Sequence, residues 1–196
     1  LPAVLAAKLY GAMLTDTLLA ATTCEADERW VLWADAPGDT PARFNARRQR
    51  GADLGARLRQ AFDDLLPGTY DRALVIGSDT PPLTAAHVDE AFEALDQHDV
   101  VLGPTLDGGY WCIGLRRAAP TLFDDIPWST REVLTRTLVR AHSAELRATT
   151  VATLADLDTP HDVAMLTGAL AAGLPACGTH ARAALSAMGM LPAFAR

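Results

Sequence analysis

Apolar residues recur at helical spacing over residues 3–23 (Val4, Leu5, Leu9, Met13, Leu14, Leu18 and Leu19), in a stretch rich in Ala and Leu, which predicts one long helix. The pattern then shortens. Residues 29–34, with two Trp and β-branched Val31, predict a strand, and 35–41 (Asp-Ala-Pro-Gly-Asp-Thr-Pro) a loop. A basic, glycine-punctuated stretch from Arg47 runs into a helix that continues to Leu65 and stops at Pro67-Gly68. Residues 73–76, Ala-Leu-Val-Ile, are continuously apolar and end in Gly77-Ser78-Asp79-Thr80-Pro81-Pro82. Such a run predicts a strand buried on both faces, and we expect it at the centre of the sheet. Thr84 opens the next helix, with Val88, Ala91, Phe92 and Leu95 as its buried stripe. Residues 99–104 predict a second buried strand, and a loop through Asp107-Gly108-Gly109 leads to a strand at 111–115. Ser129 with Glu132 three residues on reads as a capping box for a helix to about residue 144. Residues 147–154 are strand-like; Thr159 and Pro160 open a further helix, and Thr179 a last one to Met188.

This order predicts an α/β fold, a three-layer α/β/α sandwich around a mostly parallel sheet. Its strands are expected near 30–34, 73–77, 99–102 and 147–153; the 110–115 strand is free to run antiparallel because Gly108-Gly109 allows a sharp reversal. A chain of 196 residues suits one domain, with residues 1–175 as its body and 176–196 as a helical extension. The net charge of −7 argues against broad nucleic-acid binding. Three widely separated cysteines match neither a zinc site nor a disulfide framework. With no apolar run read as membrane-spanning and no signal peptide, the cytoplasm is the expected compartment, with no membrane partner.

Three acidic turns follow separate predicted strands: Asp79, Asp107 and Asp156-Leu157-Asp158. In an open α/β sheet, ligands bind beyond the carboxyl ends of the strands. Carboxylates converging there without a matching Lys repel one another, and a hard divalent cation resolves the repulsion. Asp79 also has the plainer reading of a turn cap before proline. Gly77 permits close backbone approach by a ligand. The arginines around Gly51 and Gly55 suit a phosphate-facing loop, or else a solvated basic surface.

The segments Gly77-Ser78-Asp79-Thr80-Pro81-Pro82-Leu83, Val101 to Pro104 with Asp107-Gly108-Gly109-Tyr110-Trp111, Pro127-Trp128-Ser129-Thr130 and Asp156 to Asp162 together resemble a bacterial family of glycosyltransferases associated with radical-SAM and selenodomain proteins. That family resembles the nucleotide-diphospho-sugar transferase (GT-A) fold and stands beside the molybdenum-cofactor and phospholactate guanylyltransferases. The resemblance covers about residues 1–170. It implies a transferase that uses a nucleoside triphosphate or nucleotide sugar, a small-molecule acceptor and Mg²⁺ (or Mn²⁺), and moves a glycosyl or nucleotidyl group. By position, Asp79 and Asp158 resemble the metal-binding catalytic pair, with Asp156 a weaker third ligand. Gln49, Arg50, Gly51, Gly55 and Arg57, together with Gly77, resemble the nucleotide side. Asp107, Gly108, Gly109 and Tyr110 would line the acceptor or sugar side, and Trp128 would stack on a base or close the core. Related proteins carry a first strand and a glycine- and Lys/Arg-containing loop that cradles the triphosphate. This chain begins where that loop should end, so an upstream segment is expected.

Two other readings compete. Asp156-x-Asp158 mimics the nucleophile motif of haloacid-dehalogenase-type phosphatases, but that motif belongs to an early strand and only 38 residues follow Asp158 here. A non-catalytic nucleotide-binding or scaffold protein is the alternative from a different class.

Overall fold

The structure, a computed structural model, describes residues 1–66 and 68–191. Its elements are α1 (Ala3–Thr23), β1 (Trp30–Trp33), β2 (Asn45–Arg48), α2 (Leu54–Leu65), β3 (Ala73–Ile76), α3 (Ala85–Ala94), β4 (Val100–Pro104), β5 (Tyr110–Leu115), α4 (Val133–Ser143), β6 (Ala148–Thr150), α5 (Pro160–Ala171) and α6 (Thr179–Ala187). Pro67, expected as a helix stop, lies outside the described residues.

The larger sheet has the order β3-β5-β4-β6. β5 is antiparallel to both β3 and β4, whereas β6 is parallel to β4, so β3, β4 and β6 share one direction. This corrects two expectations. The 73–76 strand is an edge strand of the larger sheet rather than its centre, and its residues 74–76 are only half buried. The 30–33 strand pairs in parallel with β2 in a separate two-stranded sheet. β3 lies at the edge because β5 is its one partner strand among the described residues. Gly108, with φ of +97°, takes a backbone conformation that residues with a Cβ rarely adopt, and it sends β5 back alongside β4. β4, paired on both sides, is buried at every residue.

Side chains alternate across a strand. Val100, Leu102, Ile113 and Leu115 pack with Leu58 and Phe62 of α2 and Ala141 of α4. Val101 and Cys112 pack on the opposite face with Ala20 of α1, Val88 and Ala91 of α3, and Leu95. Helices therefore cover both faces, as the three-layer expectation requires. The alternation fails at one place. Gly103 pairs with Cys112 and Pro104 with Tyr110, which leaves Trp111 as an extra residue on β5. This bulge puts Trp111 on the same face as Cys112 and sends Tyr110 to the other.

By length and composition α1 is apolar enough to cross a membrane, contrary to the expectation of no such run. In the fold, Leu9, Met13, Thr17 and Ala20 are its buried positions, and it packs against α3 and α6. The predicted Ser129–Glu132 box does not form. Ser129 has φ of 63°, and α4 starts one turn later at Val133 with no side-chain cap. At α5 the box is present, with Thr159 as N-cap, Pro160 in the first turn and the Asp162 carboxylate accepting the Thr159 N–H at 2.7 Å.

Candidate functional site

Asp79 follows β3, Asp107 lies in the β4–β5 loop, and Asp156 and Asp158 follow β6, so all four stand beyond the carboxyl ends of the three co-directional strands. Backbone bonds stitch these segments together. The Leu157 N–H donates to the Asp79 carbonyl at 3.0 Å, and the Leu154 N–H to the Pro104 carbonyl at 3.0 Å. The bulged Trp111 adds two more ties: its carbonyl accepts the Gly77 N–H at 2.8 Å, and its indole N–H donates to the Ala152 carbonyl at 2.9 Å. Carboxylate oxygens of Asp107, Asp156 and Asp158 then lie within 4.8 Å of one another. Among the described residues, no Lys, Arg or His forms an ion pair with these three or with Asp79.

The cluster is electrostatically strained. Burial, the Asp107 charge and a hydrogen bond with Asp107 push the Asp156 carboxyl up to about 6. Asp158 is also raised, by burial and by the charges of Asp79, Asp107 and Asp162. Burial would raise Asp107 too, but the Thr105 hydroxyl (2.6 Å) and the Gly109 N–H (2.8 Å) both donate to its Oδ1, and with the Asp156 carboxyl they bring it below its ordinary range. Of the two neighbouring carboxyls, Asp156 is therefore the one that keeps its proton to the higher pH.

A pH dependence follows. Asp156 titrates at about 6 in the fold against 3.8 ordinarily, so between those values the folded chain binds more protons than the unfolded one. From this carboxyl, stability falls as pH rises through that window. Without added metal, Asp156→Asn is expected to melt a few degrees above the parent at pH 7.5, with the difference shrinking toward pH 4. Melting curves across that range, with equal differences at both ends as the contrary result, check it.

The basic segment is less free than its sequence suggests. Arg47 and Arg50 both pair with Asp64, at 2.8 and 2.6 Å, and Arg47 also stacks over Trp30. Those arginines and Gln60 lower Asp64 against the opposing effect of burial. Arg57 reaches the Gly51 carbonyl and Gln49 Oε1, each at 3.4 Å. The Gln49 N–H and amide group bond to the carbonyls of Trp33 (2.8 Å) and Leu32 (2.9 Å), extending the β1–β2 pairing. Arg47, Arg48, Gln49, Arg50, Gly51 and Asp64 line an open cleft of about 910 Å³. The carboxylates do not line this cleft, but contacts join the two regions. Trp128, half buried, lies against Gly55 at the start of α2; farther along the same segment, Gly108 packs on the Arg131 backbone and accepts the Leu134 N–H at 3.0 Å.

Three expected site residues are placed otherwise. Tyr110 does not face the acidic turns: its ring packs into the core beneath α4 and its hydroxyl is buried. The Gly77 N–H is spent in the sheet, and the Asp79 carboxylate lies over its Cα, so this glycine offers its approach to Asp79. Asp107, expected on the acceptor side, stands within the carboxylate cluster. The Thr105-x-Asp107-x-Gly109 spacing, a self-bonded Asp turn, is the sequence signal that marks it.

Residues 5–130 match the family described as "Uncharacterized protein conserved in bacteria" (DUF2064). The chain belongs to this family. Among solved structures it is similar to a protein of Desulfovibrio desulfuricans G20 described as a "putative nucleotide-diphospho-sugar transferase", with 28% identity, 94% of this chain and 84% of that chain covered, and a TM-score of 0.79. It is also similar in fold to CMP:2-keto-3-deoxy-manno-octonic acid synthetase complexed with CTP, with 14% identity, 83% and 88% coverage and a TM-score of 0.54. No curated protein matches the sequence. The DUF2064 chain therefore has the α/β fold of nucleotide-diphospho-sugar transferases.

Proposed function

We propose that this chain is a nucleotide-dependent transferase that moves a nucleotidyl or glycosyl group to a small-molecule acceptor. Asp79 and Asp158 would hold Mg²⁺ or Mn²⁺, with Asp156 as a further ligand. The carrying observation is the convergence of Asp107, Asp156 and Asp158 at the carboxyl edge of the sheet, without a counter-cation among the described residues and with the Asp79 charge acting on Asp158. The carboxylate oxygens of Asp107, Asp156 and Asp158, within 4.8 Å of one another, suit a hard ion, which binds such oxygens at about 2.1 Å and completes its shell with substrate phosphates. When bound, the ion would neutralise charge on the phosphates. The likeness to a CTP-bound synthetase supports a nucleotide as ligand. The finer kinship with SAM- and selenodomain-associated glycosyltransferases rests on the sequence motifs.

The segment Gln49-Arg50-Gly51, with Gly55 and Arg57, would take the nucleotide, since its cleft is basic and Trp128 ties the start of α2 to the segment that packs on the Asp107 loop. Arg50→Ala or Arg57→Ala is expected to weaken nucleotide binding on the order of tenfold, the loss of one hydrogen bond to a charged group. The fold should persist in Arg50→Ala because Asp64 keeps Arg47 and Gln60. Unchanged affinity in a titration returns these arginines to a structural role.

A thermal-shift panel of nucleoside triphosphates and nucleotide sugars, with and without Mg²⁺, tests the reading. Stabilisation that needs both nucleotide and ion is expected; its absence across the panel rejects the proposal. Release of pyrophosphate then identifies nucleotidyl transfer, and release of nucleoside diphosphate glycosyl transfer. Binding without turnover of either kind identifies a nucleotide-binding scaffold.

A further inference from the structure

We infer that α6, locked to α1 through Asp16, holds the Asp79 turn in place, which makes Asp16 a positioning residue for the candidate site. Asp16 is a helical residue with only 10% of its side chain exposed. One carboxylate oxygen accepts the His180 N–H at 3.0 Å and meets the His180 ring at 2.9 Å, while the other accepts the Ala181 N–H at 2.8 Å. Asp16 thus satisfies two of the backbone donors that a helix start leaves unpaired, in a helix 164 residues away along the chain. α6 has no side-chain cap of its own, since Gly178 stands at its N-cap. A Cβ at Gly178 would collide with the Asp16 carboxyl, so the close approach requires glycine there. Ala181 and Leu185 are fully buried, and Leu185 packs with Leu9 of α1, which fixes the rest of the helix.

The start of α6 then reaches the site. The Gly178 N–H donates to the Pro81 carbonyl at 3.0 Å, in the turn that carries Asp79. Pro81 and Pro82 have no N–H with which to anchor that turn, and the Thr80 hydroxyl is buried without a partner among the described residues. The bonds that reach residues 78–82 from elsewhere are therefore few. Among the described residues they are Leu157 N–H to the Asp79 carbonyl (3.0 Å), Gly178 N–H to the Pro81 carbonyl (3.0 Å), and the Tyr10 hydroxyl with Ser78 Oγ (2.8 Å). Two of these three come from the α1–α6 pair. No described group donates a hydrogen bond to the Asp79 carboxylate, so its position follows the backbone of the turn. Loss of the Asp16 cap frees the start of α6, withdraws Gly178 from Pro81 and loosens Asp79.

The positional claim rests on these contacts; its effect on an ion rests on the reading of Asp79 and Asp158 as ligands. Hydrogen exchange of the full chain without metal tests the first. Asp16→Ala should speed exchange over residues 78–83 and 176–182 about fivefold, the factor that corresponds to loss of one helix cap, with β4 and β5 unchanged. Asp16→Asn, which keeps one acceptor oxygen, should fall between, and it replaces the Ala variant if that one fails to fold. Mn²⁺ titration followed by electron paramagnetic resonance tests the second. Affinity should fall about tenfold in Asp16→Ala, as when a support outside the ligand set is removed, and be lost in Asp158→Asn. Unchanged exchange over 78–83 overturns the brace, as does an unchanged Mn²⁺ affinity in Asp16→Ala where Asp158→Asn has lost it. If Asp158→Asn binds Mn²⁺ as the parent does, the ion reading falls and exchange alone decides the brace.

Discussion

Asp158→Asn is expected to abolish the stabilisation that Mg²⁺ and a nucleotide confer together, while leaving the ligand-free protein as stable as the parent or more so. Burial and the charges of Asp79, Asp107 and Asp162 all disfavour the ionised Asp158, so the parent is held together despite this carboxylate. Removing its charge relieves that repulsion. The same substitution removes one anionic ligand of the proposed ion, and the carboxylates that remain are Asp79, Asp107 and Asp156. A ligand present at a hundred times its dissociation constant stabilises by about 2.7 kcal/mol. For a domain of this size that is roughly 5–11 °C of melting temperature, and this whole increment should vanish. Asp79→Asn should behave alike toward ligand. The measurement is a melting series of parent and variants with nucleotide, with Mg²⁺, and with both. A shift in Asp158→Asn equal to that of the parent would falsify the metal pair.

Gly103→Ala should be the most damaging small substitution outside the acidic turns. Gly103 lies under the indole of Trp111, which is 1% exposed, and a Cβ there would enter the ring. The ring has little freedom to move. Its N–H is bonded to the Ala152 carbonyl and its own carbonyl to the Gly77 N–H, so displacement would disturb the segments that lead to Asp79 and to Asp156 at once. Overpacking of this kind costs about 3 kcal/mol, or roughly 6–12 °C for a domain of this size. Urea denaturation of parent and variant measures it directly. Gly103→Ala within 0.5 kcal/mol of the parent, roughly the scatter of a neutral surface change, would show that the bulge adapts. Because Trp111 joins both arms of the site, the variant should also lose nucleotide-dependent stabilisation beyond what its lower melting point explains.

The alternation of helical and strand periods along the chain determined the element types by itself. α1, β1, α2, β3, α3, β4, β5 and α5 fall close to where the apolar spacing and the Thr84 and Thr159 caps put them, because those signals are local: a period, a cap, a proline. β2 escaped notice, since Asn45-Ala46-Arg47-Arg48 has no apolar alternation and forms a strand only by pairing with β1. The Ser129 cap failed for the opposite reason: local chemistry favoured it, but the segment packs Trp128 on Gly55 and Arg131 on Gly108, and α4 starts later.

Which strand lies beside which was decided only by the tertiary structure. Ala73–Ile76 and Val100–Pro104 read alike as apolar runs, and nothing within either says that the first pairs with β5 alone and the second lies between β5 and β6. The same holds for the acidic residues. Their positions after strands were legible, because Asp at a strand end is a local pattern. That Asp107 joins Asp156 and Asp158, that Tyr110 turns into the core, and that Asp16 caps a helix 164 residues away depend on the Gly108 reversal, the Trp111 bulge and the packing of α6 on α1. Those are contacts between distant segments, and no spacing along the chain encodes them.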